Sequence, residues 1–220
     1  MYKTITMISV TKEALKKLPK IPRLNLVNSC TGYKSASLIA TKSANGVENV
    51  AIFSSVTHLG SDPALLGFIL RPATVPRNTY KNIKETGYFT INHITSQMIA
   101  DAHHTSAAYP HEISEFDKTN LESEYLPGIE TPFVKGSPVR LWCKYLNEYE
   151  IKENGVIHVI ASIETIFHDN NLVAGTEYFL QLDKANIVAV NGLDGYCEPK
   201  LITRFEYARA NAATKAFAKQ

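Results

Sequence analysis

The stretch Asn49–Ile94 reads NVAIFSSVTHLGSDPALLGFILRPATVPRNTYKNIKETGYFTINHI. An apolar, strand-like run, Val50–Phe53, ends in a hydroxyl pair, Ser54 and Ser55. A polar, glycine-containing connection, Thr57-His58-Leu59-Gly60-Ser61-Asp62-Pro63, leads to a second apolar run, Leu65–Leu70, which ends in Arg71. A proline-bounded loop then delivers Arg77-Asn78-Thr79 to the start of a helix. Asn78 or Thr79 is expected to cap that helix, because a short side-chain oxygen accepts from the first free backbone N–H groups. Tyr80 and Ile83 share one helical face, and Gly87 stands where a left-handed residue would stop the helix. Tyr88–Ile94 alternates Phe89, Ile91 and His93 against Tyr88, Thr90 and Asn92, the period of a strand.

A helix start with free N–H groups, an arginine and hydroxyl side chains suits a phosphate. One cap and one arginine alone are more often a solvated helix end. Here there are two arginines, Arg71 at a strand end and Arg77 at the cap, and a serine pair ends the neighbouring strand. That convergence favours the phosphate. His58, in the loop after the serines, reads equally as facing a ligand or as a hydrogen-bonded loop histidine.

Outward from this stretch the chain keeps a β rhythm. Thr11–Leu18 is expected as a short helix capped by Thr11, with Leu15 and Leu18 facing inward and Pro19 and Pro22 after it. Asn28–Gly32 reads as a polar turn and Ala36–Thr41 as a strand. Asn45-Gly46, within Ser43–Glu48, signals a hairpin into Asn49–Ser54. Residues 95–135 break the rhythm, and a helix bearing Met98, Ile99 and Ala102, capped by Thr95 or Ser96, is expected to run to about Ala108. Pro110, Pro127 and Pro132 punctuate the polar segment after it. Pro138–Lys152 and Val156–His168 make the clearest hairpin, with Asn154-Gly155 as a tight primed turn. Ile187–Val190 is another strand, Asn191–Tyr196 a glycine-rich loop, and Ala208–Gln220 a helical or frayed end. The pattern predicts one domain over residues 1–220, a mainly antiparallel β-barrel of about six strands with peripheral helices and an excursion at about 95–135.

Apolar residues at 45% and charged residues at 20% describe a globular chain, and a net charge of +2 with no dense Lys/Arg run argues against nucleic acid as partner. Met1–Pro22 carries lysines and no uninterrupted apolar core, so neither a signal peptide nor a membrane span is expected. Cys30, Cys143 and Cys197 are odd in number and far apart, which fits reduced thiols and a cytoplasmic setting.

Several chemistries fall away. There is no Gly-x-Gly and no P-loop, so a nicotinamide nucleotide would visit as a substrate and would not reside in a Rossmann domain. There is no Gly-x-Ser-x-Gly to make Ser54 or Ser55 a hydrolase nucleophile. His103, His104 and His111 invite a metal reading, but adjacent histidines on a helix point about 100° apart and match no common ligand spacing. A polar surface or ligand-lid role fits them better.

The order of these elements resembles the flavin reductase-like flavoproteins of the FMN-binding split-barrel superfamily, flavoredoxins among them. The resemblance rests on Phe53-Ser54-Ser55, Asp62-Pro63, Leu65–Arg71, Arg77-Asn78-Thr79 and Gly87-Tyr88-Phe89. It continues through Ser114-Glu115-Phe116, Lys135-Gly136-Ser137-Pro138-Val139 and Asn191-Gly192-Leu193-Asp194-Gly195-Tyr196, covering about Asn28 to Ala210. It implies an antiparallel Greek-key split barrel and a homodimer with flavin near the subunit interface. FMN is the expected cofactor and FAD the alternative. Its phosphate would go to Arg77, Asn78, Thr79 and one or both of Ser54 and Ser55, with Arg71 assisting. The isoalloxazine would lie along Val50–Ser55, past Phe53, with Thr57 and His58 in the adjoining loop. Two activities stay open: an NAD(P)H-dependent flavin reductase-like enzyme, or a flavoredoxin-like carrier that exchanges electrons with protein partners. A flavin-free binding barrel is a third, more distant reading. Hydride acceptance by flavin needs no side-chain base, so no catalytic residue is assigned.

Overall fold

A computed structural model describes residues 6–72 and 74–217. Two short helices lead, α1 (Lys12–Lys17) and α2 (Lys20–Ser29). Thr11 caps α1 as expected, its hydroxyl oxygen accepting from Ala14 N at 3.2 Å. Leu15 and Leu18 are only half-buried. The sequence reading missed α2. Pro22 falls in its first turn, where a missing N–H leaves no intrahelical bond unmade, so this proline permits a helix that it was expected to end. The expected turn at Asn28 accordingly begins inside the last turn of α2.

The strands are β1 (Tyr33–Ser35), β2 (Ser37–Lys42), β3 (Glu48–Phe53), β4 (Thr57–Ser61) and β5 (Ala64–Leu70), followed by α3 (Asn78–Thr86) and β6 (Tyr88–His93). Then come α4 (Ile99–His104), β7 (Ser123–Glu124), β8 (Phe133–Val134), β9 (Val139–Ile151), β10 (Val156–His168), β11 (Val173–Ala174), β12 (Phe179–Leu180), β13 (Ala189–Asn191) and β14 (Gly195–Cys197). Seven strands form one antiparallel sheet in the order β3-β2-β6-β9-β10-β5-β4, one more than the sequence reading expected. Its two outer strands, β3 and β4, are consecutive in the chain and joined through Ser54, Ser55 and Val56. The sheet therefore curls toward closure, with a seam at this corner. Ser55 stitches the seam: its Oγ accepts from Ile69 N at 3.0 Å and donates to Ile69 O at 3.2 Å. Phe53 meets Phe68 edge-to-face across it, with ring centroids 5.3 Å apart. Register shifts between β9 and β10 supply bends that a curled sheet needs.

Two cores result. Inside the curl, Ile39, Phe68, Phe89, Ile91, Cys143 and Val159 pack with Ile83 of α3, which plugs one end. Outside it, Leu38, Ala40 and Val50 pack against Ala102, Phe116, Val134 and Val190. β2 thus lies between both cores, which is why Ser37–Thr41 is buried on both faces. The excursion also covers the outer face of β6. Thr90 and Asn92, read as the polar side of an alternating strand, are fully buried and satisfied: Thr90 Oγ1 donates to Pro132 O at 2.7 Å, and Asn92 Oδ1 accepts from Val134 N at 3.0 Å.

Four further expectations change. The connection Thr57–Pro63 contains the exposed edge strand β4, which lacks an apolar stripe but satisfies its backbone by pairing with β5. The β9–β10 turn spans four residues, with Gly155 alone at positive φ (+70°), and Asn154 Oδ1 accepts from Val156 N instead of adopting a primed turn. The helix after Thr95 ends at His104, short of Ala108, and the glycine-rich loop after Asn191 is the turn of the β13–β14 hairpin. Between 208 and 217 the described C-terminal segment is not helical; 218–220 lie outside the described residues.

Candidate functional site

A cleft of about 290 Å³ opens beside the seam. Its floor is the end of β3, with Ile52, Phe53 and Ser54; Arg71 enters from the end of β5. One wall comes from α4 and the residues after it, with His103 and Ser106. The other comes from the β13–β14 hairpin, with Val190, Leu193, Asp194 and Tyr196. The volume lies at the lower end of small-ligand sites, about 300–1,000 Å³, and the lining has their usual mix of apolar surface and a few polar groups.

Of the residues singled out from sequence, Phe53, Ser54 and Arg71 come together here. Ser55 does not join them, because its hydroxyl is committed in both directions to the backbone of Ile69. Thr57 and His58 lie exposed on β4, where His58 Nε2 sits 3.1 Å from Ser61 Oγ. Arg77, Asn78 and Thr79 form a separate group at the start of α3. Neither Asn78 nor Thr79 caps the helix: Arg77 occupies the cap position with an extended backbone (φ −128°, ψ 97°) and no side-chain bond to the first turn. Thr79 points inward instead, its buried Oγ1 accepting from Asn49 Nδ2 at 3.0 Å. Its backbone N–H groups therefore have no side-chain cap, and Arg77 Nε is buried with no hydrogen-bond partner among the described residues.

The two groups are tied to one strand. Asn49, which holds Thr79, and Ser54, which lines the cleft, are five residues apart; at about 3.3 Å per residue that is roughly 16 Å. α3 is itself held firmly, by Asn82 Nδ2 donating to Thr41 Oγ1 at 3.0 Å and Tyr80 OH donating to Glu148 Oε1 at 2.8 Å. β3 is fixed along its free edge by Glu115, whose buried Oε2 accepts from Val50 N at 3.0 Å. Burial pushes the Glu115 carboxyl pKa up, and the backbone hydrogen bonds it accepts partly oppose this.

Sequence reading assigned no binding role to most of the cleft walls. From sequence His103, weighed for a metal, reads as a polar-surface or ligand-lid residue, and Asp194 and Tyr196 as part of a motif, but their meeting depends on contacts across 93 positions. His103 Nδ1 lies 3.0 Å from Tyr196 OH, and His104 Nε2 lies 2.8 Å from Tyr109 OH. Among the described residues no three His, Cys, Asp or Glu side chains are grouped to hold a metal ion.

The family described as Flavin reductase like domain matches residues 33–181. A split-barrel structure from Shewanella frigidimarina NCIMB 400, classed as a flavin reductase, is 39% identical with a TM-score of 0.88, over 92% of this chain and 100% of that one. Nitrilotriacetate monooxygenase component B from Bacillus cereus (17% identity, TM-score 0.77, 93% and 100% covered) shares the fold. So does flavoredoxin of Desulfovibrio vulgaris (Miyazaki F), at 17% identity and TM-score 0.67, with 97% and 99% covered. Among curated relatives the chain spans from 74% down to 53% of their length.

Proposed function

The chain belongs to the flavin reductase-like domain family, and on that premise we propose that it is an FMN-binding oxidoreductase taking hydride from NADH or NADPH. The observation that carries this reading is an uncapped helix start beside an Arg77 Nε that is buried with no partner among the described residues, tied through Asn49 to the strand whose other end lines a ring-sized cleft. A planar ring joined by a polyol chain to a phosphate matches that arrangement. The residues fit the group: Arg77 and the first N–H groups of α3, with Asn78, would hold the phosphate. Thr79 accepts from Asn49 and keeps its own proton to donate. Phe53, Ser54 and Arg71 would line the ring. Ser55 would support the site through the seam, and Thr57 and His58 stand on the adjoining edge strand.

Bound flavin supplies hydride and electron transfer; the protein binds, orients and tunes it. With no Rossmann fingerprint, the nicotinamide nucleotide visits the site as a substrate. FMN is preferred to FAD because the uncapped helix and arginine provide for one terminal phosphate. The exposed apolar residues Met7, Ile8 and Val10 before α1, with those of α2 and the C-terminal segment, support a homodimer. The three free cysteines suit a reducing, cytoplasmic setting, and no described helix is long and apolar enough to cross a membrane. The small cleft favours a second reading as well. A ring filling about 290 Å³ leaves little space for a nucleotide, as in a carrier that passes electrons to a protein.

Purified protein is expected to carry flavin absorbance or to quench added FMN saturably; a colourless protein without quenching removes both readings. Steady-state NAD(P)H oxidation with added FMN then separates the enzyme from the carrier.

A further inference from the structure

His103 comes from the last turn of α4 and Tyr196 from β14, and they close the cleft against each other. The imidazole Nδ1 and the phenol oxygen are 3.0 Å apart, and the rings meet edge-to-face with centroids 5.8 Å apart. Among the described residues neither side chain makes another hydrogen bond. Two tautomers satisfy that contact, and the chemistry favours one. Phenol O–H is a strong donor and an imidazole nitrogen a good acceptor, so with the phenol donating, the ring proton sits on Nε2. Burial and the nearby Asp194 carboxylate both raise the Tyr196 pKa, which keeps its hydroxyl protonated and donating. The pair therefore presents one N–H, fixed in tautomer by its neighbour, in a cleft that also holds Arg71 and the hydroxyls of Ser54 and Ser106.

Resting on the reading that flavin occupies this cleft, we propose that His103 Nε2–H donates a hydrogen bond to the flavin that strengthens on reduction, and that Tyr196 is the positioning residue that holds the donor tautomer. Reduction adds negative charge to the flavin, and a hydrogen bond to a charged acceptor is roughly twice as strong as one between neutral groups. His103 thus sets part of the flavin's reduction potential without taking or giving a proton.

The test uses the full chain loaded with FMN, measuring the reduction potential by dye equilibration and, separately, the affinity for oxidised FMN. His103→Leu is expected to weaken reduced relative to oxidised binding about tenfold, a potential lower by about 30 mV for a two-electron couple. His103→Gln, which keeps an N–H donor, should restore most of that shift. Tyr196→Phe should shift the potential the same way by less, and should add nothing when His103 is already Leu. An unchanged potential in His103→Leu, with oxidised and reduced FMN weakened equally, overturns the donor role and leaves a wall contact. Additive effects of the two substitutions overturn the positioning role of Tyr196. Should the wild-type chain bind no flavin, the parent reading fails and the proposal with it, an outcome distinct from bound flavin at an unshifted potential.

Discussion

Replacing Arg77 by Ala tests the phosphate group directly. Arg77 stands at the N-terminal boundary of α3 with its Nε buried and without a partner among the described residues, while the helix start has no side-chain cap. In the free protein the substitution removes no hydrogen bond between Nε and the described residues, so the fold should lose little stability. In the complex it removes a charge-assisted contact worth about 1.5–3 kcal/mol, which weakens FMN binding roughly ten- to a hundred-fold. Riboflavin lacks the phosphate, so its affinity should hardly change. Fluorescence quenching titrations with both ligands, at fixed ionic strength, give the two ratios. A suitable control is Arg209→Ala, an exposed position in the C-terminal segment. Arg140 is a poor control, because it pairs with Glu124 and stands 5.6 Å over the Phe133 ring, so its loss would damage β9. Equal losses for FMN and riboflavin would mean a distorted ring cleft. No loss for either would leave Arg77 without a ligand role, and the phosphate placement would fail.

Other perturbations probe the frame around the site. Burial raises the folded-state pKa of Glu115 above its ordinary value of 4.5, so as pH rises through that window the folded chain holds more protons than the unfolded one and loses stability. Glu115→Gln keeps an acceptor for Val50 N without titrating, so its melting temperature relative to wild type should climb between pH 4 and 7; a constant or falling difference refutes this assignment. Gly67→Ala would drive a Cβ onto His158 Nε2 and to 3.0 Å from Val159 O, and should cost about 1–3 kcal/mol, read as a fall in melting temperature. His158→Ala should recover only part of that loss, because the Val159 carbonyl cannot yield; full recovery would place the conflict in the imidazole alone. Light scattering of the flavin-loaded protein at micromolar concentration should give twice the chain mass, since Ile21 is 62% exposed in α2 and Ile202 and Tyr207 are 88% and 93% exposed in the C-terminal segment. A monomer under those conditions would remove the homodimer.

What the sequence alone determined is local. Thr11 caps its helix and Gly87 ends α3 at φ +77°, because capping and left-handed backbone depend on a few adjacent residues. The long β9–β10 hairpin and the existence of strand β6 were legible for the same reason, and the order of such elements carried the family resemblance. Tertiary structure decided the rest through pairing and burial that no short window contains. β4 is a strand because β5 satisfies its backbone; its own side chains alternate poorly. Thr90 and Asn92 are buried because the excursion supplies Pro132 O and Val134 N across the sheet. The hydroxyls of Ser55 and Thr79 read as ligand groups; folding commits that of Ser55 in both directions to the Ile69 backbone 14 residues away, and gives Thr79 a donor in Asn49, 30 residues away, that leaves its proton free. The cleft itself exists only because α4 and the β13–β14 hairpin close over the end of β3, bringing His103 and Tyr196 within hydrogen-bond distance. Strand pairing and core packing are long-range interactions, and their partners are fixed only when the sheet has curled.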